Sequence, residues 1–290
     1  MSIRKIVIPV AGYGTRFLPF TKSIPKEMLP IVDRPVIQYI VEEAVEAGIE
    51  EVILITGYSK RAIEDYFDYN LELEYLLDKS GKIEQKKLIR DVSDMARFVY
   101  IRQKEMKGHG HAVLQAKEVV GNEPFVLMWG DEIYSGQPSK LKQLIEAYNR
   151  FDAPVLFTMK RDDPGDGDKY GYIKVGEDMG QGAFRVEDMV EKPGDANKPS
   201  SFASLGCFIL TPDIFPLLEQ QAAGKGGEIV TLDAVNALAK RRPVYAQECT
   251  GLKYFDCGNK LGYLKATVEF ALNRDDLGED FRTYLKGLSL

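Results

Sequence analysis

Short apolar runs alternate with segments of helical periodicity along the first half of the chain. The residues from Lys5 to Val10 and from Glu51 to Thr56 form runs typical of buried strands. Between them, apolar residues recur at the spacing of one helix face from Val36 to Val45, and Gly48 follows as a C-terminal stop. The pattern predicts two strands joined by a crossover helix.

The same alternation continues to about residue 160. Further strand-like runs are predicted at 98–102, 125–129 and 154–159, and helices at 110–120 and 138–149. Strands that alternate with helices form parallel sheets that are covered on both faces. We therefore predict an α/β protein with a mostly parallel central sheet flanked by helices. Ligands bind such sheets beyond the carboxyl ends of the strands.

The second half of the chain predicts an extension of this sheet. Polar, turn-rich loops at 161–169 and 192–200 separate strand-like runs, and the last apolar periodicity, 261–272, is helical. A charged stretch at 60–94, with interspersed aromatic and leucine residues, predicts a helical excursion from the sheet. We expect a single domain over residues 1–290, built from two halves that meet near residue 135. The strand-like runs of the second half are 172–175, 183–190 and 203–210.

Composition and charge exclude several classes of protein. The 290 residues are 44% hydrophobic and carry a net charge of −6, which argues against nucleic acid as the main partner. No apolar run of the sequence approaches the roughly 18 residues of a membrane span. The N-terminus enters a strand pattern directly, without the apolar core of a signal peptide. The three cysteines are widely spaced and indicate reduced thiols, so we expect a cytoplasmic protein without a membrane partner.

Candidate chemistry concentrates in residues 7–30, which read V-I-P-V-A-G-Y-G-T-R-F-L-P-F-T-K-S-I-P-K-E-M-L-P. A strand that ends in a turn of small residues leaves backbone N–H groups free to face an anion. Arginine and lysine nearby add charge-assisted contacts to phosphate. The segment therefore predicts a site for a polyphosphate. Its small residues and cations are Ala11, Gly12, Gly14, Arg16, Lys22 and Lys26.

Two common phosphate loops do not fit this segment. The P-loop requires G-x-x-x-x-G-K-[ST], but Gly14 is followed by Thr15 and Arg16. The dinucleotide fingerprint requires a third glycine where this chain has Phe17. An NAD-dependent oxidoreductase is therefore disfavoured.

The whole run is similar to the signature of the sugar-1-phosphate nucleotidyltransferases, A-G-x-G-T-R followed by P-K-x-x-L-P. With F-L-P-F-T-K and P-K-E-M-L-P, it resembles the bacterial UTP–glucose-1-phosphate uridylyltransferases in particular, as does the insert at 60–80. The resemblance implies that glucose 1-phosphate attacks the α-phosphorus of UTP and gives UDP-glucose and pyrophosphate. It also implies a Rossmann-like fold with a mixed, mostly parallel central sheet flanked by helices. The same resemblance implies a nucleotide-binding half at about 1–135, a sugar-phosphate-binding half at about 136–290, and Mg²⁺ as the cofactor.

The resemblance assigns the triphosphate to the first loop. Arg16 matches the arginine that grips the β- and γ-phosphates, and Lys26 matches the lysine that meets the phosphate under attack. Two anions must approach each other in this reaction, so cations are the main requirement for catalysis. Surface and phosphate-binding roles stay equally open for Lys22. The nucleotide-binding residues of the loop are Ala11, Gly12, Gly14, Thr15 and Glu27.

The metal and base positions lie further along the chain. Asp131 and Asp256 match the aspartates that hold Mg²⁺ in the family, although Glu132 stands where many relatives have a second aspartate. Gln103 and Gly108 match the residues that read the base, because an amide can pair with the N3–H and O4 edge of uracil. In the adjoining G-H-G-H-A-V, His109 replaces the leucine usual in relatives, and a turn before a helix is favoured over a zinc pair with His111.

The sugar phosphate is assigned to the second half. Glu191 and Lys192 of V-E-K-P match the pair that binds hexose hydroxyls and the sugar phosphate, which makes Lys192 a third catalytic cation. Gly171 and Gly206 match glycines whose backbone approaches the hexose. No serine, histidine or cysteine nucleophile is indicated, because the sugar phosphate attacks directly.

Two alternatives to this hypothesis stay open. A sister transferase that uses dTTP, CTP or ATP would share the catalytic residues and differ in the base pocket. A catalytically silent nucleotide-sugar sensor is opposed by the joint presence of four functional side chains: Arg16, Lys26, Asp131 and Asp256. We expect a homo-oligomer, a dimer or a tetramer, although no residue pattern specifies the number of subunits.

Overall fold

The structure is a computed structural model that describes residues 2–222, 224 and 227–289. Its strands are β1 (Lys5–Pro9), β2 (Pro30–Ile31), β3 (Arg34–Pro35), β4 (Glu51–Thr56), β5 (Arg97–Arg102), β6 (Phe125–Met128), β7 (Glu132–Gly136), β8 (Val155–Lys160), β9 (Gly171–Gly180), β10 (Ala183–Glu191), β11 (Phe202–Leu210), β12 (Tyr245–Glu248) and β13 (Leu252–Asp256). Its α-helices are α1 (Val36–Glu46), α2 (Arg61–Phe67), α3 (Leu71–Lys79), α4 (Ile83–Asp94), α5 (His109–Leu114), α6 (Lys117–Val120), α7 (Lys140–Phe151), α8 (Ile214–Gln220), α9 (Thr231–Ala239), α10 (Lys260–Leu272) and α11 (Gly278–Lys286).

One mixed sheet forms the centre of the molecule. Over the described residues its nine strands run in the order β5-β4-β1-β6-β11-β8-β12-β10-β9. Strands β5, β4, β1 and β6 are parallel neighbours, and β12 is parallel to β8. Only β10 and β11 run against the other strands of this described sheet. The predicted mixed, mostly parallel sheet is confirmed.

Helices cover both faces of the sheet. In β1, Ile6 and Ile8 pack into one core together with α1, while Val7 points to the opposite core, which includes α5 and α6. Both faces of the strand are therefore buried, which explains why its sequence is a continuous apolar run instead of an alternating one. Each such side chain contributes about 1.5–3 kcal/mol through burial.

The predicted elements of the first half are confirmed with small shifts. The segment 110–120 is two short helices, α5 and α6, instead of one. Helix α7 begins at Lys140, after the predicted start at 138, because the Ser139 hydroxyl accepts a hydrogen bond from the Lys142 N–H at 3.3 Å and caps the helix there. The charged stretch at 60–94 is helical, as expected, and forms α2, α3 and α4. None of the described helices is long and apolar enough to cross a membrane.

The pairing of β7 with β13 was missed by the sequence analysis. The two strands form a small antiparallel sheet of their own, in which Glu132 lies opposite Asp256. More than a hundred residues separate the partners, so no local pattern indicates their contact. This pairing brings Asp131 and Asp256 to the same end of the molecule.

Candidate functional site

The loop after β1 folds back onto the end of its own strand. Gly14 has φ +65 and ψ 33, a left-handed conformation that glycine adopts without strain. The Thr21 hydroxyl donates to the Gly14 carbonyl at 2.7 Å and closes the loop. A short 3₁₀ turn, Lys26–Met28, then carries the Lys26 side chain across Gly12. Lys26 therefore lies at the carboxyl end of β1, where the sequence predicted the phosphate site.

Lys26 contacts Asp131 across the end of the sheet. Its Nζ lies 2.5 Å from Asp131 Oδ2, and the two side chains are 22% and 18% exposed. Burial disfavours the charged ammonium, but the carboxylates of Asp131 and Glu27 outweigh burial and raise the pKa of Lys26. Lys26 is therefore a cation at the bottom of an accessible cleft.

Asp131 and Asp256 converge on one point above β7 and β13. A Cβ at Gly258 would lie 2.4 Å from Asp131 Oδ2 and 2.9 Å from Asp256 Oδ1, so both carboxylates face the same small space. Asp256 is fixed by the Gly258 N–H and by the Asn259 side-chain amide, each at 2.8 Å. One or two carboxylates completed by phosphates and water make a normal Mg²⁺ site, and this pair fits that description.

Glu132 has a hydrogen-bond partner of its own on β11. Its Oε2 accepts a hydrogen bond from the Gly206 N–H at 3.0 Å. Burial, together with the charges of Asp131 and Asp256, raises the pKa of Glu132 to about 8. Within the part of the chain that the structure describes, no three His, Cys, Asp or Glu side chains are grouped as a metal site.

The predicted base-reading residues lie together, after β5. Gln103 is buried, and its amide Nε2 donates to the Gly108 carbonyl at 3.3 Å and to His111 Nδ1 at 2.9 Å. Both N–H groups are thus used within the protein, which leaves the amide oxygen as an acceptor for a base. Gly108 has φ +90, and a Cβ there would lie 2.6 Å from the Ile229 carbonyl oxygen. A glycine is therefore required at 108 by packing against residue 229 as well as by backbone conformation.

The two histidines do not form a zinc pair. His111 Nδ1 contacts Gln103, whereas His109 Nδ1 contacts the Thr231 hydroxyl at 2.8 Å on the neighbouring α9. The predicted turn before a helix is consistent with this arrangement, since α5 begins at His109.

The predicted sugar-phosphate residues line the same cavity as Lys26 and Gln103. A Cβ at Gly171 would lie 3.0 Å from Glu191 Oε2, and one at Gly206 would overlap the ring of Trp129. Burial raises the pKa of Glu191, and the Lys192 Nζ lies 3.6 Å from its Oε1. Lys192 also has φ +47, an uncommon conformation for a residue with a side chain, and this turns it into the cleft after β10 ends.

Two connected spaces bring these residues together. A cavity of about 560 Å³ contains most of the predicted set, and a wider groove of about 1210 Å³ adjoins it and adds Arg16 and Asp256. Among the described residues that line these two spaces, Gly14 and Thr15 are absent. Glu27 reaches the cavity wall, but its carboxylate contacts Lys60 at 2.8 Å and is 1% exposed. The predicted residues of the cavity are Ala11, Gly12, Lys26, Glu27, Gln103, Gly108, Asp131, Gly171, Glu191, Lys192 and Gly206.

Several wall residues were missed by the sequence analysis. Trp129 and Leu232 form part of the cavity wall, and Lys169 and Tyr170 lie where the cavity and the groove meet. Trp129 is the last residue of a predicted strand and lies two positions before Asp131, so its position at the carboxyl edge was a usable signal. Leu232 lies on α9, whose contact with β9 and β10 has no local sequence pattern.

The chain matches the family described as nucleotidyl transferase over residues 5–272, and it belongs to that family. The UTP–glucose-1-phosphate uridylyltransferase 2 of Staphylococcus saprophyticus is 44% identical over 289 residues, which cover 100% of this chain and 99% of the relative. The UTP–glucose-1-phosphate uridylyltransferase of Bacillus subtilis is 45% identical, with 99% and 97% covered.

Solved structures give the same result. A UDP-glucose pyrophosphorylase complexed with UDP-glucose matches with a TM-score of 0.84 and 42% identity, over 94% of this chain and 100% of that one. A UTP-bound UGPase from Acinetobacter baumannii matches with a TM-score of 0.90 and 38% identity, over 99% and 100%. The resemblance deduced from residues 7–30 and the later motifs is confirmed.

Proposed function

We propose that this protein transfers UMP from UTP to glucose 1-phosphate and so forms UDP-glucose and pyrophosphate. The observation that carries the proposal is the shared cavity, which is lined by both the Lys26–Asp131 pair and the Glu191–Lys192 pair. One wall can hold a triphosphate and the other a sugar phosphate, as direct transfer between the two requires. Relatives and solved structures whose names give this activity support the assignment.

In the proposed reaction, an oxygen of the sugar phosphate forms a bond to the α-phosphorus as the bond to pyrophosphate breaks. No covalent enzyme intermediate is needed, so the protein's task is to position the two anions and neutralise their charge. Lys192 holds the attacking phosphate, and Arg16 in the groove binds the leaving pyrophosphate. Lys26 meets the phosphate under attack, and an oxygen of that phosphate can replace Asp131 as its partner.

Asp131 and Asp256 are the residues that would hold Mg²⁺. When bound, the ion would neutralise charge on the reacting phosphates. In the structure the Lys26 ammonium already pairs with Asp131. Bound Mg²⁺ would bring a second positive charge to the same carboxylate.

The base assignment rests on the free oxygen of the Gln103 amide. Both of its N–H groups are directed at the protein, so the amide oxygen is the atom that can contact a base. An acceptor suits the N3–H of uracil, whereas N3 of cytosine carries no hydrogen. The oxygen therefore suits UTP and dTTP equally, since both bases carry an N3–H.

A pyrophosphate-release assay tests this proposal. Mg²⁺ and glucose 1-phosphate are held constant while UTP, dTTP, CTP and ATP are compared, and UDP-glucose is identified in the product. We expect UTP to be preferred. A preference for another nucleotide would assign the protein to a sister transferase, and no release with any of the four would favour a nucleotide-sugar sensor.

We also propose that the protein is a homo-oligomer that works in the cytoplasm. The three cysteines are free, as a reducing compartment allows.

Helices α3 and α4 expose Leu71, Tyr75 and Leu88 at 68%, 64% and 60%, and exposed apolar patches of this kind mark subunit contacts. Sedimentation velocity should give a dimer or tetramer that a Leu71→Asp, Leu88→Asp variant weakens. A monomeric parent at micromolar concentration would contradict the assembly.

A further inference from the structure

His109 lies in the cavity wall between the predicted base and sugar sides. Its Nδ1 is 2.8 Å from the Thr231 hydroxyl, and the Thr231 backbone N–H donates to the same atom at 3.3 Å. A backbone N–H can only donate, so Nδ1 is an acceptor and the ring proton is on Nε2. Burial, and to a smaller extent the Lys192 ammonium, lowers the pKa of His109 to about 4, so the ring is neutral near pH 7.

The Nε2–H of His109 has no hydrogen-bond partner among the described residues. Both of the hydrogen bonds recorded for this side chain use Nδ1. Among the described residues, Nε2 does not belong to the polar atoms that are both buried and without a partner. It is therefore accessible from the cavity, which His109 lines. A fixed donor at the wall of a polar cavity gains most when a ligand supplies the acceptor.

The surroundings of the ring indicate which half of the ligand it faces. Its edge packs on Trp129, with ring centroids 5.2 Å apart, and Trp129 packs against Gly206 on its other side. Leu232, the residue after Thr231, contacts the predicted hexose residue Gly171. The neighbours of the side chain therefore belong to the sugar-phosphate wall, although Gly108, its neighbour in the chain, belongs to the base wall.

We propose that His109 donates a hydrogen bond from Nε2–H to an oxygen of glucose 1-phosphate and contributes to the selection of that substrate. The inference rests on the proposed function and adds to it a specificity-determining residue. Thr231 positions the ring and fixes its tautomer.

Steady-state kinetics of two variants test the proposal in the full-length enzyme. His109→Leu removes the donor, and we expect the KM for glucose 1-phosphate to rise about 5- to 10-fold, or more for a phosphate acceptor, while the KM for UTP changes less than about 2-fold. His109→Gln keeps an N–H donor and should recover part of the loss. Equal melting temperatures of the two variants would show that packing is not the cause.

A series of deoxy-glucose 1-phosphates identifies the acceptor. If a hydroxyl accepts the bond, the difference between parent and His109→Leu should disappear for the one analogue that lacks it; if the phosphate accepts it, the difference should persist for every analogue. An unchanged KM for glucose 1-phosphate in His109→Leu, or a change confined to UTP, would overturn the proposal. A parent that releases no pyrophosphate would instead contradict the proposed function.

Discussion

At the scale of single residues, the site depends on charges that come from distant parts of the sequence. Lys26 and Asp131 are 105 positions apart and in contact at 2.5 Å. Each follows a strand of the parallel half of the sheet, β1 or β6, and these strands are neighbours. Their carboxyl ends therefore meet at one edge, and the two side chains need only short loops to reach each other.

Replacing Lys26 with alanine removes the cation nearest to the phosphate under attack. We expect kcat to fall at least ~100-fold, the scale of losing a charge contact made in the transition state. The far-UV circular dichroism spectrum should be unchanged. Lys174→Ala is a suitable control, because Lys174 lies on β9 and pairs with Glu187 at the surface. Near-normal turnover by Lys26→Ala would remove this residue from the mechanism.

Replacing Asp131 with asparagine keeps the size of the side chain and removes its charge. If Asp131 and Asp256 hold Mg²⁺, this variant should lose most of its Mg²⁺-dependent activity and need much more metal for half-maximal rate. The measurement is a Mg²⁺ titration of pyrophosphate release, with the exposed Asp275→Asn as the matched control. A titration curve that overlays that of the parent would show that another ligand holds the ion.

The sequence predicted which residues form the site, but it did not predict all of the contacts that require those residues. Lys26 and Asp131 were found because each follows a recognisable strand within a known motif. Gly108 was predicted as an approach to the base, whereas its close contact with Ile229 also demands glycine and depends on a segment more than a hundred residues away. The hydrogen bond that the Gly206 N–H donates to the Glu132 carboxylate has the same origin, since it joins residues 74 positions apart.

At the scale of elements, a buried ion pair joins the phosphate loop to the start of the helical insert. Glu27 and Lys60 lie in contact at 2.8 Å with exposures of 1% and 5%. Breaking such a pair leaves a charge without a partner in the interior, which costs about 3–5 kcal/mol. The pair therefore fixes the Lys26–Met28 turn to the start of the helical insert.

Lys60→Met should lower the free energy of unfolding by about 3–5 kcal/mol in urea denaturation. Lys86→Met, which breaks a surface pair with Asp78, should cost less than about 1 kcal/mol. Burial already raises the pKa of Glu27 above its usual value, and removal of Lys60 should raise it further. The folded variant then holds this proton to a higher pH than the folded parent does, so the loss of stability relative to the parent should grow as pH rises above the raised pKa that Glu27 has in the parent. An equal loss at pH 4 and pH 8 would contradict this account.

Elements whose own residues form a recognisable pattern could be predicted from the sequence. Elements that depend on pairing with a distant segment could not. Strand β4 matches its prediction, Glu51–Thr56, because two buried faces give a continuous apolar run. Strand β13, with the sequence L-K-Y-F-D, is short and amphipathic, and it exists because β7 lies beside it. Helix α9 likewise follows a turn-rich segment and is defined by its packing against β10.

At the scale of the whole molecule, β11 joins the two halves of the chain. It pairs with β6 from Cys207 to Leu210 on one side and with β8 on the other. Side chains of both halves also share each of the two cores, as Val7 and Phe208 do on one face of the sheet. Separating the halves would expose both cores together with the edge of the sheet.

We therefore predict that the chain unfolds as one cooperative unit, as expected for a single domain over residues 1–290. Trp129 is the single tryptophan and lies where β6 meets β11, so its fluorescence reports the junction. Far-UV circular dichroism reports the helices of both halves. In guanidinium chloride the two signals should change at the same midpoint and fit one transition. If the circular dichroism changed in two steps and the fluorescence followed only one of them, the halves would be separate folding units. A UTP analogue at saturating concentration should then move the single midpoint to higher denaturant, because a ligand bound across the cavity stabilises both halves together.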